Sequence, residues 1–243
     1  MARKIKNREI NQNLNIFIAC EDSKGGLLYV KNLIRHYGFV SQNNCINKNF
    51  TDLKNLVEIA NNINEDIRIV FVDVDDKLNS INNKQNVNTG IQKAQNNNIC
   101  IIVSNECLEL WFLLHFKNQT AYIKRKKIFE ILKNELLEKK KKLLTQDEIK
   151  NLNNGNLKNI DFFKIFDEEE RQKAIKRCKK LIKNKIPFNP WKENPITLMC
   201  CFIDFLENLK KINTITSKKE KKNKIKKLLN KCYPMIGKKI ENV

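Results

Sequence analysis

The chain has 243 residues, of which 41% are hydrophobic and 30% are charged. No apolar run reaches the roughly 20 residues of a membrane-spanning helix, so we exclude a transmembrane protein. The basic start of the chain lacks the apolar segment of a signal peptide, so we expect a cytoplasmic protein. The 47 Lys and Arg residues against 27 Asp and Glu give a formal net charge of +20, which attracts polyanions such as nucleic acid, although a solvated basic surface without a partner is the alternative.

The first half of the sequence alternates strand-like and helix-like segments. Apolar, β-branched runs at 14–20, 67–74 and 99–103 are typical of strands buried on both faces. Amphipathic stretches at 27–37 and from residue 51 onward read as helices between them. A polar, Asn-rich loop and a short helix at 91–94 lead into the last strand. This order predicts a three-layer α/β unit with a mostly parallel sheet.

The second half is predicted to be helical. An apolar core helix covers 107–116, and a long basic amphipathic helix covers 121–144. Asn194-Pro195 suits the start of an apolar helix at 196–209, and a lysine-dense helix covers 217–231. Thr145 with Glu148, and Ser217 with Glu220, fit the capping-box pattern at two helix starts.

These patterns divide the chain into three segments. We expect an α/β unit at 12–118, a helical extension packed on it at 119–212, and a basic helical tail at 213–243. The eight cysteines lie mostly in apolar runs, and neither a Cys-x-x-Cys pair nor a histidine at zinc spacing accompanies them. We therefore expect neither a structural zinc nor a disulfide framework.

Acidic residues stand at the ends of two predicted strands. Glu21 follows the first strand directly, and Asp73 and Asp75 end the central one. Functional groups collect at the carboxyl ends of parallel strands, so we expect the three carboxylates to converge. Such a group favours a hard cation, Mg²⁺ or Mn²⁺. The alternative is that these acids merely begin solvated loops.

The apolar segment 107–116 contains two further candidates. Glu109 is the only carboxylate inside this stretch, and burial of a lone carboxylate is costly unless it is paired or bound to a metal. His115 lies one turn after Trp111 and is interpreted either as a packed core histidine or as a site residue. Both interpretations fit the sequence.

Together these residues resemble the RloB-like family. The matching strings are the strand that ends in Glu21, the Phe-Val-Asp-Val-Asp of 71–75, and the 104–116 stretch, in which Ser-Asn-x-x-x-Glu-x-Trp-x-x-x-His is the specific part. The Asn-Pro-Ile-Thr of 194–197 is similar to the Asn-Pro-x-Thr of the family's C-terminal helix. The family is associated with bacterial restriction and anti-phage loci, and its core is similar to a Toprim domain. The resemblance therefore implies a Toprim-like α/β fold followed by a helical C-terminal half.

The resemblance also implies roles for individual residues. Glu21 would be a metal ligand or general acid/base, and Asp73 and Asp75 would hold Mg²⁺. Glu109 and His115 would lie at the rim of the same site, and a lysine of the second half would join them. For that lysine we favour Lys164, with Lys158 as the alternative. The residues expected to contact the substrate are Lys24, Ser104, Asn105, Lys139 and Lys140.

The sequence departs from the family pattern behind the first strand. Asp22 stands where the family usually has Gly, and Gly25-Gly26 stand where Thr-Glu is common. Asp22 either supplies a replacement carboxylate or marks a site that has drifted.

The leading hypothesis is a Mg²⁺-dependent nuclease that acts as a toxic effector of anti-phage defence. Toprim effectors of comparable systems include tRNA-cleaving nucleases, so RNA, and tRNA in particular, is favoured over DNA. The alternatives are a DNA endonuclease of the same type, or a non-catalytic adaptor that binds nucleic acid or a partner ATPase through a decayed metal site. A small-molecule phosphotransferase ranks last, because the sequence has no nucleotide-binding loop. A regulatory partner protein and a homodimer are further expectations.

Overall fold

Five strands form one sheet in the part of the chain that the computed structural model describes, residues 14–20, 25–43, 52–75, 80–183, 189 and 191–236. The strands are β1 (Asn15–Cys20), β2 (Val40–Asn43), β3 (Ile67–Asp73), β4 (Cys100–Asn105) and β5 (Ile196–Thr197). Their order in the sheet is β2-β1-β3-β4-β5. The first four are parallel, and β5 pairs antiparallel with β4 at the edge. The predicted α/β class with a mostly parallel sheet is confirmed.

Helices cover both faces of this sheet and fill the second half of the chain. They are α1 (Gly25–His36), α2 (Leu53–Asn61), α3 (Ile81–Asn96), α4 (Glu109–Phe116), α5 (Arg125–Lys139), α6 (Gln146–Asn153), α7 (Phe162–Ile165), α8 (Glu168–Lys183), α9 (Met199–Asn213) and α10 (Lys218–Ile236). The side chains of β4 are buried throughout, and those of β1 and β3 nearly so. Continuous apolar strands of this kind need cover on both faces, which explains the layered arrangement.

Side chains of neighbouring polar residues fix several helix starts. Asp52 and Ser80 accept hydrogen bonds from the backbone N–H groups of Asn55 and Asn83 and so cap α2 and α3. Thr145 and Glu148 form the predicted capping box at α6. Ser217 Oγ accepts from Glu220 N before α10, as the second predicted capping pattern implies.

Three predicted helices differ from those observed. The helix expected over 121–144 begins only at Arg125 and ends at Lys139, where a short 3₁₀ turn, Lys141–Leu143, follows. The helix expected from residue 196 begins at Met199, because Ile196 and Thr197 pair with β4 as a strand instead.

The third difference is α3, which is much longer than the 91–94 helix predicted from the sequence. Its asparagine-rich first turns have weak helix propensity, and tertiary packing overrides that preference. The helix buries Val87, Ile91 and Ala94. At Gly90 an added Cβ would come within 2.6 Å of Leu53 Cγ, so glycine allows the close approach of α2.

One hydrophobic core includes residues from all three predicted segments. Leu14 and Trp111 belong to the first segment, Phe162 and Leu209 to the second, and Leu229 of α10 to the third, and all are buried in the same cluster. The division at 118 and 212 stays a prediction. None of the described helices is both long and apolar enough to cross a membrane.

Candidate functional site

The parallel strands bring the predicted site residues to one edge of the sheet. Cys20, the last residue of β1, lies in register with Phe71 of β3, and Asp73 lies in register with Ser104 of β4. A small cavity at these strand ends is lined by side chains of all three strands, Cys20, Asp73 and Ser104 among them, and by Leu108. The predicted juxtaposition of the strand ends is therefore present. Glu21 and Lys24 themselves lie outside the described residues.

Asp73 is fixed by the backbone that leads into α4. Its Oδ1 accepts a hydrogen bond of 2.9 Å from the N–H of Leu108. Its Oδ2 lies 4.0 Å from Nη2 of Arg125. One carboxylate oxygen thus holds the next loop in place while the other faces a cation.

Asp75 lies in a turn that continues alongside the end of β4. Val74 N donates to Ser104 O at 2.9 Å, and Asp75 N donates to Glu106 O at 3.1 Å, so the two chains stay paired beyond the strands. Asp75 has a φ of 37°, in the left-handed region that aspartate tolerates better than most residues. Its Oδ2 forms an ion pair with Nη1 of Arg125.

Arg125 is the cation on which the two carboxylates converge, and the sequence analysis missed it. Burial opposes the charge of its guanidinium, but the attraction of Asp75, together with that of Glu109 and Asp73, outweighs burial and raises the pKa of Arg125. No short-range sequence signal marks Arg125, because it lies 50 residues after Asp75 among many other basic residues.

Glu106 connects this arginine to the edge strand. Its Oε2 accepts a 2.6 Å hydrogen bond from Arg125 N, the first residue of α5, where the adjacent Lys124 makes no side-chain cap. Its Oε1 accepts from Asn194 Nδ2 at 3.3 Å. Asn194 also exchanges hydrogen bonds with the backbone N and O of Ile123, both at 3.1 Å. Asn194 therefore joins two loops, and does not cap a helix as its sequence context suggested.

Glu109 is buried at the first turn of α4 and belongs to the same acidic environment. It is 8% exposed. Burial raises the pKa of the Cys107 thiol, and the negative charges of Glu109 and Asp73 and a hydrogen bond with Glu109 raise it further. The negative charge of Glu109 also helps to raise the pKa of Arg125. The role of Glu109 at the rim of the site stays a prediction.

His115 lies in the hydrophobic core. Its Nδ1 is 3.0 Å from the carbonyl O of Trp111, and its ring stacks on Phe166 with 3.9 Å between ring centroids. Burial lowers the pKa of His115 to about 3, so the imidazole is neutral at physiological pH. Its Nε2 is buried and has no hydrogen-bond partner among the described residues. Of the two interpretations left open by the sequence, the contacts favour the packed core histidine.

Ser104 and Asn105 are too buried to contact a large substrate directly. They are 2% and 7% exposed. Ser104 Oγ lies 2.8 Å from Oγ1 of Thr197, and Asn105 Nδ2 donates to the carbonyl O of Trp191 at 3.4 Å. These contacts correct the sequence expectation: the two residues attach the C-terminal segment to the end of β4.

The predicted substrate-binding lysines of α5 are already paired with acids. Lys139 forms an ion pair with Glu135, and Lys140 forms one with Glu170 while its side chain is only 14% exposed. Each of these two lysines thus has an acidic partner within the protein, and Glu135 is shared with Lys117. This pairing makes them weaker candidates for phosphate binding than the sequence suggested.

Of the two candidate lysines of the second half, Lys158 is the one whose segment packs near the strand ends. A Cβ added to Gly25, at the start of α1, would meet the carbonyl O of Lys158 at 3.0 Å. Lys164 is highly exposed and forms an ion pair with Asp161 at 3.2 Å. Asp161 in turn accepts from Asn32 in the second half of α1, farther from the strand ends. The placement favours Lys158 over Lys164.

The chemistry of Asp73 and Asp75 fits a hard divalent cation. Both offer carboxylate oxygens at the same edge of the sheet, and their side chains are only 15% and 20% exposed. Their convergence on a guanidinium indicates that the position already attracts positive charge. Within the described ranges no three His, Cys, Asp or Glu side chains are grouped closely enough to hold a metal ion. The two aspartates would thus be part of a ligand set.

Comparison with known proteins identifies a family. A family model described as RloB-like protein matches residues 16–206, which contain all but the first residue of β1, the whole of β2 to β5, and Asp73, Asp75 and Arg125. Neither a curated protein nor a solved structure matches the chain. Because the matched region covers most of the sequence, the chain belongs to the RloB-like family.

Proposed function

We propose that the protein is a Mg²⁺-dependent nuclease that cleaves phosphodiester bonds. The observation that carries this proposal is that Asp73 and Asp75 bring two carboxylates, only 15% and 20% exposed, to the carboxyl edge of the sheet. A divalent cation bound by these carboxylates would polarise the phosphodiester and stabilise the charge that develops on its oxygens. Glu21 is proposed as a further ligand or general acid/base.

The residues around the aspartates would keep this site in place. The hydrogen bond from Leu108 N holds Asp73 Oδ1. The other oxygen, Oδ2, now faces Arg125 and would be the one to bind the divalent cation. Glu109 adds negative charge from a buried position. Asp73 is held by a backbone N–H and Asp75 by Arg125. Because both carboxylates already have fixed positions, their side chains would reorganise little when a cation binds.

Nucleic acid is the proposed substrate, with RNA, and tRNA in particular, favoured over DNA. The charge of +20 supports a polyanion. Part of the positive charge without acidic partners lies on α10, whereas Lys139 and Lys140 at the end of α5 are paired. Among the described residues of α10, lysines 218, 219, 221, 222, 226 and 227 form no ion pair, and only Lys224 is paired, with Glu220.

The biological role that we propose is that of a toxic effector in anti-phage defence. This proposal is supported by the association of the RloB-like family with restriction and anti-phage loci. A regulatory partner such as an ATPase, and a homodimer, belong to the same proposal. Size-exclusion chromatography with light scattering of the purified chain tests the homodimer: a mass near 28.7 kDa at working concentration would exclude it.

The function is tested by incubating purified protein with total tRNA and with plasmid DNA, each in Mg²⁺, Mn²⁺ or EDTA. Asp73→Asn, Asp75→Asn and Glu21→Gln are compared with the wild type, and Asp147→Asn, at an exposed position of α6, is the matched control. We expect the wild type to cleave tRNA in a metal-dependent manner. Of the variants, only the control should retain this activity. Cleavage of plasmid DNA alone would contradict the choice of RNA, and cleavage in EDTA would contradict the metal.

A non-catalytic adaptor is the second candidate, and the Arg125 ion pair is the observation that favours it. A site that has lost its metal can satisfy its carboxylates with such a cation. Calorimetric titration with Mn²⁺ separates the two: a nuclease site should bind the ion and lose it in Asp73→Asn. Equal, negligible heat from both proteins would favour the adaptor.

A further inference from the structure

The guanidinium of Arg125 is held on one side and open on the other. Nη1 contacts Asp75, and Nη2 faces Asp73 at 4.0 Å. The side chain as a whole nevertheless remains 40% exposed, which places Arg125 at the rim of the site and not in its interior. Since an arginine has five N–H donors, contacts with two carboxylates leave donors for another acceptor.

Several contacts fix the position of this arginine. Glu106 holds its backbone N at the start of α5, and the ring of Phe129, one turn later, lies 5.3 Å below the guanidinium carbon. The ion pair with Asp75 orients the end of the side chain. A guanidinium restrained at both ends loses little further freedom when it binds a ligand.

We propose that Arg125 positions the phosphate of the substrate by donating to its non-bridging oxygens from the exposed side of the guanidinium, while Asp75 keeps the other side. The proposal rests on the proposed function, and it assigns Arg125 to the same site as the aspartates. Planar, paired N–H groups match two phosphate oxygens, which a lysine ammonium does not.

The charges around Arg125 predict when the phosphate binds. Asp73, Asp75 and the buried Glu109 all act electrostatically on Arg125, so acidic groups surround the guanidinium. These carboxylates would repel a phosphate, and a divalent cation bound among them would offset that repulsion. Binding of a short RNA at this position should accordingly require a divalent ion.

The test measures binding of a labelled tetranucleotide RNA by fluorescence anisotropy in Ca²⁺, with EDTA as comparison. Such a short ligand makes few contacts outside the site. We expect Arg125→Gln to weaken binding in Ca²⁺ about tenfold to a hundredfold, as for other charge-assisted hydrogen bonds, and Arg125→Lys to restore only part of it. Arg35→Gln, an exposed arginine in the last turn of α1, is the control.

Two further measurements distinguish a positioning role from a structural one. Thermal unfolding should show Arg125→Gln folded, and Mn²⁺ titration should show that it binds metal at least as tightly as the wild type, because a competing cation has been removed. If Arg125→Gln retains full RNA affinity while binding Mn²⁺ more tightly, Arg125 is only a counter-ion of Asp75 and the proposal is wrong. Because binding is measured without turnover, failure of the nuclease proposal would appear separately, as absence of cleavage by the wild type.

Discussion

The two oxygens of Asp73 have different partners, which allows their roles to be separated by mutation. Asp73→Asn keeps an acceptor for Leu108 N but loses the charge, whereas Asp73→Ala loses both. We expect the alanine variant to be less stable than the asparagine variant by about 1–3 kcal/mol, because a partly buried N–H is left without its acceptor. Both variants should lose Mn²⁺ affinity. Urea denaturation and calorimetry provide the two measurements, and equal stabilities would contradict the assigned hydrogen bond.

His115 makes a prediction about pH. Its pKa is lowered from 6.5 to about 3 in the folded protein, mainly by burial. The unfolded chain therefore binds a proton between these values that the folded chain does not, so the contribution of His115 is fully present above pH 6.5 and is lost as the pH falls. The loss should approach about 1.4 kcal/mol per pH unit.

The comparison that isolates this effect is with His115→Phe and His115→Gln. The free energy of unfolding, measured by denaturant titration between pH 7 and pH 4.5, should fall less steeply in both variants than in the wild type. If the free energy of unfolding fell with pH as steeply in both variants as in the wild type, His115 would titrate normally and would not be enclosed by the core.

At the scale of elements, Glu106 holds the start of α5 from outside the helix. It accepts from Arg125 N and from Asn194 Nδ2, and Lys124 supplies no cap of its own. Glu106→Ala should therefore cost about 1–2 kcal/mol of stability and weaken binding of the tetranucleotide RNA, since Arg125 is released. Glu106→Gln keeps an acceptor and should lose less. Unchanged RNA affinity in the alanine variant would show that Arg125 does not depend on this anchor.

The elements also show what the sequence could predict. Continuous β-branched runs such as 67–74 identify the buried strands, and their ends locate Asp73 and Asp75 at the sheet edge. The two-residue strand β5 has too little local pattern of its own, because it exists only by pairing with Ser104 and Asn105. Arg125 was missed for the same reason. Its partner Asp75 is distant in sequence, and only the tertiary fold brings the two together.

At the scale of the whole molecule, the net charge is less informative than its distribution. Lys139 and Lys140 at the end of α5 are paired with acids, whereas the lysines of α10 lie on a helix whose apolar residues Ile225 and Leu229 are buried in the core. Over the part of α10 whose side chains the structure describes, these apolar residues are thus already packed against the protein, which disfavours their insertion into a lipid surface. A fixed helix with unpaired lysines instead suits a phosphate backbone.

This distribution predicts different salt dependences for two variants with the same change in charge. Lys226→Gln/Lys227→Gln removes two unpaired, exposed lysines of α10, and Lys139→Gln/Lys140→Gln removes two paired lysines at the end of α5. Since each phosphate contact releases counterions, the α10 variant should reduce the slope of log affinity for tRNA against log salt concentration by about 1–2. The α5 variant should change it little, because its charges already have acidic partners. Filter binding at several KCl concentrations measures both slopes, and equal slopes for the two variants would mean that α10 is not the preferred surface for the nucleic acid.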